Sequence, residues 1–200
     1  MMSRGQSEAL IGMIHTVLDK AQLTPGDLDL FALTIGPGAF TGLRIGLAAA
    51  QGFCFAAGLR SVGVSVFEAV AYGVSDELRR GEPLLVALET KRADVYVQVF
   101  GDRYTPASEP SAMMPEEIPS LLPDGGIIVG DAVMRVKAAI VSSEHVYRFV
   151  ENVGPPDAAH IAAIAAQRAH TATQDQVLRP LYLRAPDATL PAKKLGLAKS

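Results

Sequence analysis

Apolar residues recur at helical spacing near the start of the chain. Leu10, Ile11, Ile14, Val17, Leu18 and Ala21 fall on one side of "SEALIGMIHTVLDKAQ". At 100° per residue, the arc from Met13 through Val17, Leu10 and Ile14 to Ile11 is about 160° wide, whereas a surface helix needs a stripe of about 100°. "TPGD" reads as a turn and "LDLFALTIG" as a buried strand. A second helix is predicted from about Gly42 to Ala57, stopped by Gly58. "SVGVSV" follows as a strand and "FEAVAYGVSDELRR" as a helix. "LLVALET" and "VYVQVF", joined by "KRAD", have the pattern of a hairpin. "MPEEIPSLL" predicts a short helix, "GGIIVGD" a strand, "AVMRVKAAIVS" a helix, and the alanine-rich "AAHIAAIAAQRAH" a last helix. Prolines set "LRPLYLRAPDATLP" as an extended tail.

Helices alternating with strands place the chain in the α/β class. Breaks at Gly81 to Pro83 and Gly154 to Pro156 set off a second lobe. The first lobe is then 1–82 with 157–176, the second 83–156, and 177–200 the tail. The second helix carries Gly42, Ile45, Gly46, Ala49 and Phe53 on one face, small enough for close packing. The opposite face carries Arg44, Leu47, Ala48, Gln51 and Phe55. Neither side is properly polar, so both are expected to be covered, the second by the other lobe or by a partner. A membrane span fits poorly. Gly36-Pro37-Gly38 breaks any helix upstream of Arg44, and glycines and Gln51 interrupt the apolar run after it.

Between that strand and that helix lies "TIGPGAFTGLRIG", holding Gly36, Pro37, Gly38, Phe40, Thr41, Gly42 and Arg44. A Walker loop needs a lysine after its last glycine, and Leu43 stands there. A dinucleotide fingerprint needs a third glycine where Thr41 stands. The structural alternative makes Thr41 the N-cap, with Phe40 and Ile45 as a hydrophobic staple and the glycines reversing the chain. Anion binding at the helix N-terminus is the competing reading.

Composition narrows the chemistry. A net charge of -3 gives no electrostatic footprint for tight direct nucleic-acid binding. The single cysteine, Cys54, excludes a disulfide framework, fits a reducing compartment and lies in the apolar helix as a small core residue. His15, His145, His160 and His170 are scattered without metal-ligand spacing.

The block "GPGAFTGLRIGLAAAQGF", with "SVGVS" after it and "PLYLRAPDA" near the end, resembles the TsaB family, also called YeaZ. The resemblance runs from about Ser3 to Lys194. It implies a two-lobed actin-like ATPase fold of ribonuclease-H-like lobes. It implies a place in the making of threonylcarbamoyladenosine in tRNA, in the cytoplasm, as the non-catalytic partner of TsaD alongside TsaE. It implies no cofactor, and contact with tRNA only through the complex. TsaD-like proteins carry a His-x-x-x-His metal pair after the matching strand. Aligning on Glu68 puts Val66 and Val70 at those positions, and valine binds no metal. In the family the first two helices pair with themselves in a homodimer and with those of TsaD. The expected partner surface is therefore Leu10, Met13, Ile14 and Val17 with Leu47, Ala48, Gln51 and Phe55. Family members begin with about thirty further residues forming three strands, so "LFALTIG" is expected to have an unfilled sheet edge. The hairpin also departs from the family, with Glu89, Thr90 and Lys91 before Arg92. The alternative from another class is an enzyme, a metal-dependent peptidase or kinase-like ATPase. It lacks a visible metal pair, nucleophile with base, or phosphate loop.

Overall fold

Two sheets organise the chain in a computed structural model that describes residues 6–141, 145–151, 153–172 and 178–184. The first pairs β1 (Leu30–Thr34) in parallel with β2 (Arg60–Val64), Leu30 opposite Arg60 and Thr34 opposite Val64. The second has five strands in the order β5-β4-β3-β6-β7. Here β3 (Leu84–Glu89) and β4 (Val95–Phe100) form the expected hairpin, and β5 (Ser111–Met113) continues it antiparallel. On the other side β6 (Gly126–Val129) and β7 (Tyr147–Phe149) add in parallel.

The continuous apolar run "LLVAL" is explained by its central place, since a strand covered on both faces has no polar side. Leu85 and Ala87 face a core with Val97, Ile128, Val133 and Val136. Leu84, Val86 and Leu88 face another with Phe67, Val70, Ala71, Ile127 and Val129. The helix α5 (Val133–Ala139) supplies the first cover, and α3 (Val66–Tyr72) the second. On the smaller sheet, Val62 and Val64 meet Ile164 and Ala165 of α6 (Ala158–Gln167). The opposite face meets α2 (Phe40–Ala57), where the Phe31 and Phe53 rings lie 5.4 Å apart. The first helix, α1 (Gln6–Ala21), packs on α2 in turn. Among the described residues β1 pairs only with β2, and all five of its residues are half-buried.

Several elements differ from the sequence expectation. "FEAVAYGVSDELRR" is two helices. The chain breaks after Gly73 because Ser75 starts α4 (Asp76–Arg79) by accepting the Leu78 N–H on its hydroxyl. "MPEEIPSLL" is a 3-10 turn over Pro115–Ser120, consistent with its internal Pro119. The three-residue strands β5 and β7 were too short to show periodicity. Expectations for 1–5, 173–177 and 185–200 lie outside the described residues.

Candidate functional site

The glycine loop is held from two directions. The Gly36 carbonyl accepts the Val66 N–H at 2.7 Å, and the Ile35 carbonyl accepts the Leu181 N–H at 2.7 Å. Gly36 has φ +115°, and a Cβ there would lie 2.9 Å from the Leu181 oxygen, so only glycine fits. The Gly36-Pro37 peptide is cis and both residues are buried. Gly38 and Gly42 are exposed.

The helix starts differently from the sequence reading. Ala39 occupies the N-cap with no side-chain bond, and Phe40 is the first helical residue. Thr41 therefore lies exposed inside the first turn, not at the cap, and no Phe40–Ile45 staple is set by it. The reason lies in Phe40, whose ring stacks on Tyr182 at 5.4 Å and carries the Arg44 guanidinium 3.8 Å above it. Arg44 Nε–H also donates to the Tyr182 hydroxyl oxygen at 3.1 Å. These contacts across one helical turn extend α2 backwards and clip it to the tail. Sequence reasoning gave Tyr182 no role; its place in "PLYLR" was the available signal.

The residues expected from sequence at a partner surface are not all exposed. Met13 is 65% exposed, Val17 64% and Phe55 92%, while Leu47 is 5%. Leu47 is a correction. With Ala50 and Cys54 it forms the buried edge of α2, because its angular position lies between the two faces assigned from sequence. Leu10 and Ile14 are half-buried, and Ala48 and Gln51 are exposed. The Gln51 amide is partly used inside the chain, donating to the Leu178 oxygen at 3.4 Å. What remains outward is Met13 and Val17 on α1 with Ala48 and Phe55 on α2. By length and composition α2 could cross a membrane. It instead packs against α1 and β1, and its first turn carries Arg44.

At α3, Ser65 and Glu68 cap reciprocally: Glu68 N–H donates to Ser65 Oγ at 3.1 Å, and Ser65 N–H to Glu68 Oε2 at 2.8 Å. Arg168 forms an ion pair with Glu68. Burial raises the Glu68 pKa, but the Arg168 and Ser65 hydrogen bonds and the Arg168 charge together hold it below its ordinary value. Val66 and Val70 pack in the core shared with β3. Cys54 is buried, and burial pushes its thiol pKa up. His160 lies 5.5 Å from the Tyr72 ring, whereas His15, His145 and His170 are exposed at separate sites.

The Glu68 environment fixes an acid response. A lowered folded pKa means stability fully present above the unfolded value of 4.5 and lost as pH falls through the lower folded value. Arg168→Ala removes the Arg168 hydrogen bond and charge, while the Ser65 bonds that also lower the pKa and the burial that raises it both remain. Stability is expected to fall most near pH 7, where that contribution is fully present, and the acid-unfolding midpoint to move to higher pH, both read by circular dichroism.

Against this geometry, residues 1–172 match the family TsaD, tRNA N6-adenosine threonylcarbamoyltransferase. The chain belongs to this family. Within it the chain is TsaB/YeaZ-like. It is 31% identical over 96 residues to the tRNA threonylcarbamoyladenosine biosynthesis protein TsaB of Haemophilus influenzae, covering 48% of this chain and 40% of that one. The Escherichia coli TsaB is 30% identical over 93 residues, 46% of this chain and 40% of its own length. The aligned stretch thus spans well under half the length of these TsaB relatives. An uncharacterized Mycobacterium tuberculosis protein is 29% identical over 190 residues, 93% of this chain and 78% of that one. YeaZ from Pseudomonas aeruginosa superposes with a TM-score of 0.71 at 22% identity, covering 88% of this chain and 84% of that one. A Pseudomonas aeruginosa protein with similarity to peptidase YeaZ gives 0.73 at 21% identity, over 92% and 86%. The fold of this TsaB-like chain is accordingly the two-lobed, actin-like one.

Proposed function

We propose that this TsaB-like chain serves the formation of threonylcarbamoyladenosine in tRNA as a non-catalytic subunit. Its partner is TsaD, with TsaE joining the assembly, in the cytoplasm. The observation that carries the reading is the outward apolar surface of α1 and α2, where Met13, Val17 and Phe55 are each more than half exposed. Large apolar side chains left exposed on two packed helices are the kind of feature that marks an interaction surface. The same surface would serve a homodimer, since a closed two-fold pair is the commonest oligomer. Self-association and TsaD binding then compete.

Two further features support a role without chemistry of its own. Val66 and Val70, aligned with the metal ligands that the resemblance implies for TsaD, are used in core packing. Cys54, the one thiol, is buried with a raised pKa, the opposite of an activated nucleophile. With a net charge of -3, tRNA would be met through the complex.

Reconstitution tests the proposal. TsaD and TsaE with tRNA, threonine, bicarbonate and ATP are expected to form the modified nucleoside only when this chain is added, scored by chromatography of digested tRNA. The chain alone is expected to hydrolyse neither ATP nor peptides. Full modification without it, or metal-dependent peptide cleavage by the purified chain, would favour the enzyme reading.

A further inference from the structure

A cleft of about 540 Å³ opens between α3, α4 and α6 and the turn Asp102–Tyr104, away from the apolar face of α1 and α2. Its volume lies in the range of small-molecule sites, about 300–1,000 Å³. Glu68, Tyr72, Asp76, Tyr104, Gln167 and Arg168 line it. Three features of this lining point to one kind of ligand.

The first is charge. Glu68 and Arg168 are paired and cancel. Asp76, hydrogen-bonded to Tyr104, forms no ion pair among the described residues and leaves the lining one negative charge in excess, with the Arg79 cation outside the lining. An anion would meet Asp76 and find the arginine already engaged. The second is aromatic surface. Tyr72 and Tyr104 both line the cleft, their rings 5.2 Å apart and tilted by 46°. Tyrosine faces attract cations through the ring quadrupole. Tyr104 shows this toward Arg79, whose guanidinium lies 5.2 Å from its ring centre but is not part of the cleft lining, so a ligand cation would take the ring surface that faces the cleft.

The third feature is strain. Tyr104 has φ +62°, a left-handed conformation that an aromatic residue rarely adopts. It is held there by its hydroxyl, which donates to the Val74 oxygen at 3.1 Å, and by the flanking Tyr72 and Arg79. Such strain persists where surrounding structure insists on the placement, and it gathers at ligand sites. Burial and the neighbouring Asp76 charge both raise the Tyr104 pKa, which keeps the phenol neutral beside the carboxylate.

We propose that this cleft binds a small organic cation, an alkylguanidinium or alkylammonium, seated on the tyrosine rings with Asp76 as counter-ion. Tyr72 and Tyr104 supply the π surface, and Gln167 a polar wall at the end of α6. The Glu68–Arg168 pair forms a neutral floor. The size of the cleft suits a free molecule; the same chemistry on a protein-borne arginine is the alternative source.

The full chain has no tryptophan, so its emission comes from five tyrosines, of which Tyr72 and Tyr104 line the cleft, and Tyr72→Phe assigns the titrating signal to the site. Titration with agmatine at low salt is expected to saturate, with N-acetyl-arginine amide binding more weakly. Equal binding by the two would retain the cation site and assign it to a side chain. Asp76→Asn is expected to weaken agmatine at least tenfold. Gln167→Glu is expected to tighten it, and Glu109→Gln to leave it unchanged. Asp76, Gln167 and Glu109 are all exposed, and melts of the three variants establish that each is folded. No saturation with agmatine would overturn the proposal. So would affinities untouched by both Asp76→Asn and Gln167→Glu, or phosphate binding as well as agmatine.

Discussion

A Phe55→Glu chain is expected to melt with the parent and to lose both self-association and TsaD binding. The side chain is 92% exposed on a helix whose core edge is Leu47, Ala50 and Cys54, so the isolated fold has nothing to lose there. In an interface the position reverses sign. An exposed aromatic is the kind of anchor whose truncation costs about 2 kcal/mol or more, and a carboxylate buried without a partner adds to that. A drop in affinity of about 100-fold, or 2.7 kcal/mol, is the expected minimum. Sedimentation velocity reads self-association, a circular-dichroism melt reads the fold, and titration with TsaD reads the partner. Leu47→Glu is the contrast. At 5% exposure it belongs to the chain's own core, so it is expected to unfold the protein rather than to free a folded monomer. A Phe55→Glu chain that still dimerises and still binds TsaD would move the partner surface off α1 and α2.

Helix periodicity made α1 and α2 visible, and the same periodicity misjudged Leu47. On a helix with no polar face, residues only 40° apart in projection can fall on either side of the packing boundary. Leu47 and Gln51 are such a pair, one buried in the core and the other exposed with its amide on the tail. Strands that bury both faces were legible because "LLVAL" and "IIV" admit no solvent side. The three-residue strands at Ser111 and Tyr147 are fixed by their neighbours rather than by their own pattern.

The loop was legible as a glycine turn between strand and helix, but the contacts that hold it were not. Gly36 is required by a carbonyl from Leu181, some 145 positions away along the chain. Long-range contacts of this kind leave no local signature, and Phe40, Arg44 and Tyr182 form another such cluster. The same holds for the cleft between α3 and α6. Tyr72, Tyr104 and Arg168 lie in three separate segments, and their meeting follows from the fold rather than from any spacing.

Phe67→Ala should produce the largest loss of stability from a single truncation in α3. Phe67 is wholly buried, and its helix lies where the two sheets meet. On one side Phe67, Val70 and Ala71 pack with Leu84, Val86, Phe100 and Ile127 of the larger sheet. On the other, Ala69 packs with Val62, Val64, Ile164 and Ala165 of the smaller. Removing the ring opens a cavity that neither sheet can easily close, because each is fixed by its own strand pairing. Truncations of this kind cost about 3–5 kcal/mol, out of a total of about 5–15 for a natural domain. In urea the midpoint is expected to fall by about 1–2 M at unchanged slope. The effect should reach function as well. The smaller sheet carries α1 and α2, so a loosened joint would detach the proposed partner surface from the rest of the fold and is expected to weaken the proposed TsaD binding without touching that surface. Phe67→Leu, which refills much of the volume, should recover most of the stability and the binding together. A loss below about 1 kcal/mol for Phe67→Ala would mean that α3 is dispensable to the joint. Recovery of stability by Phe67→Leu without recovery of binding would break the link between joint and surface.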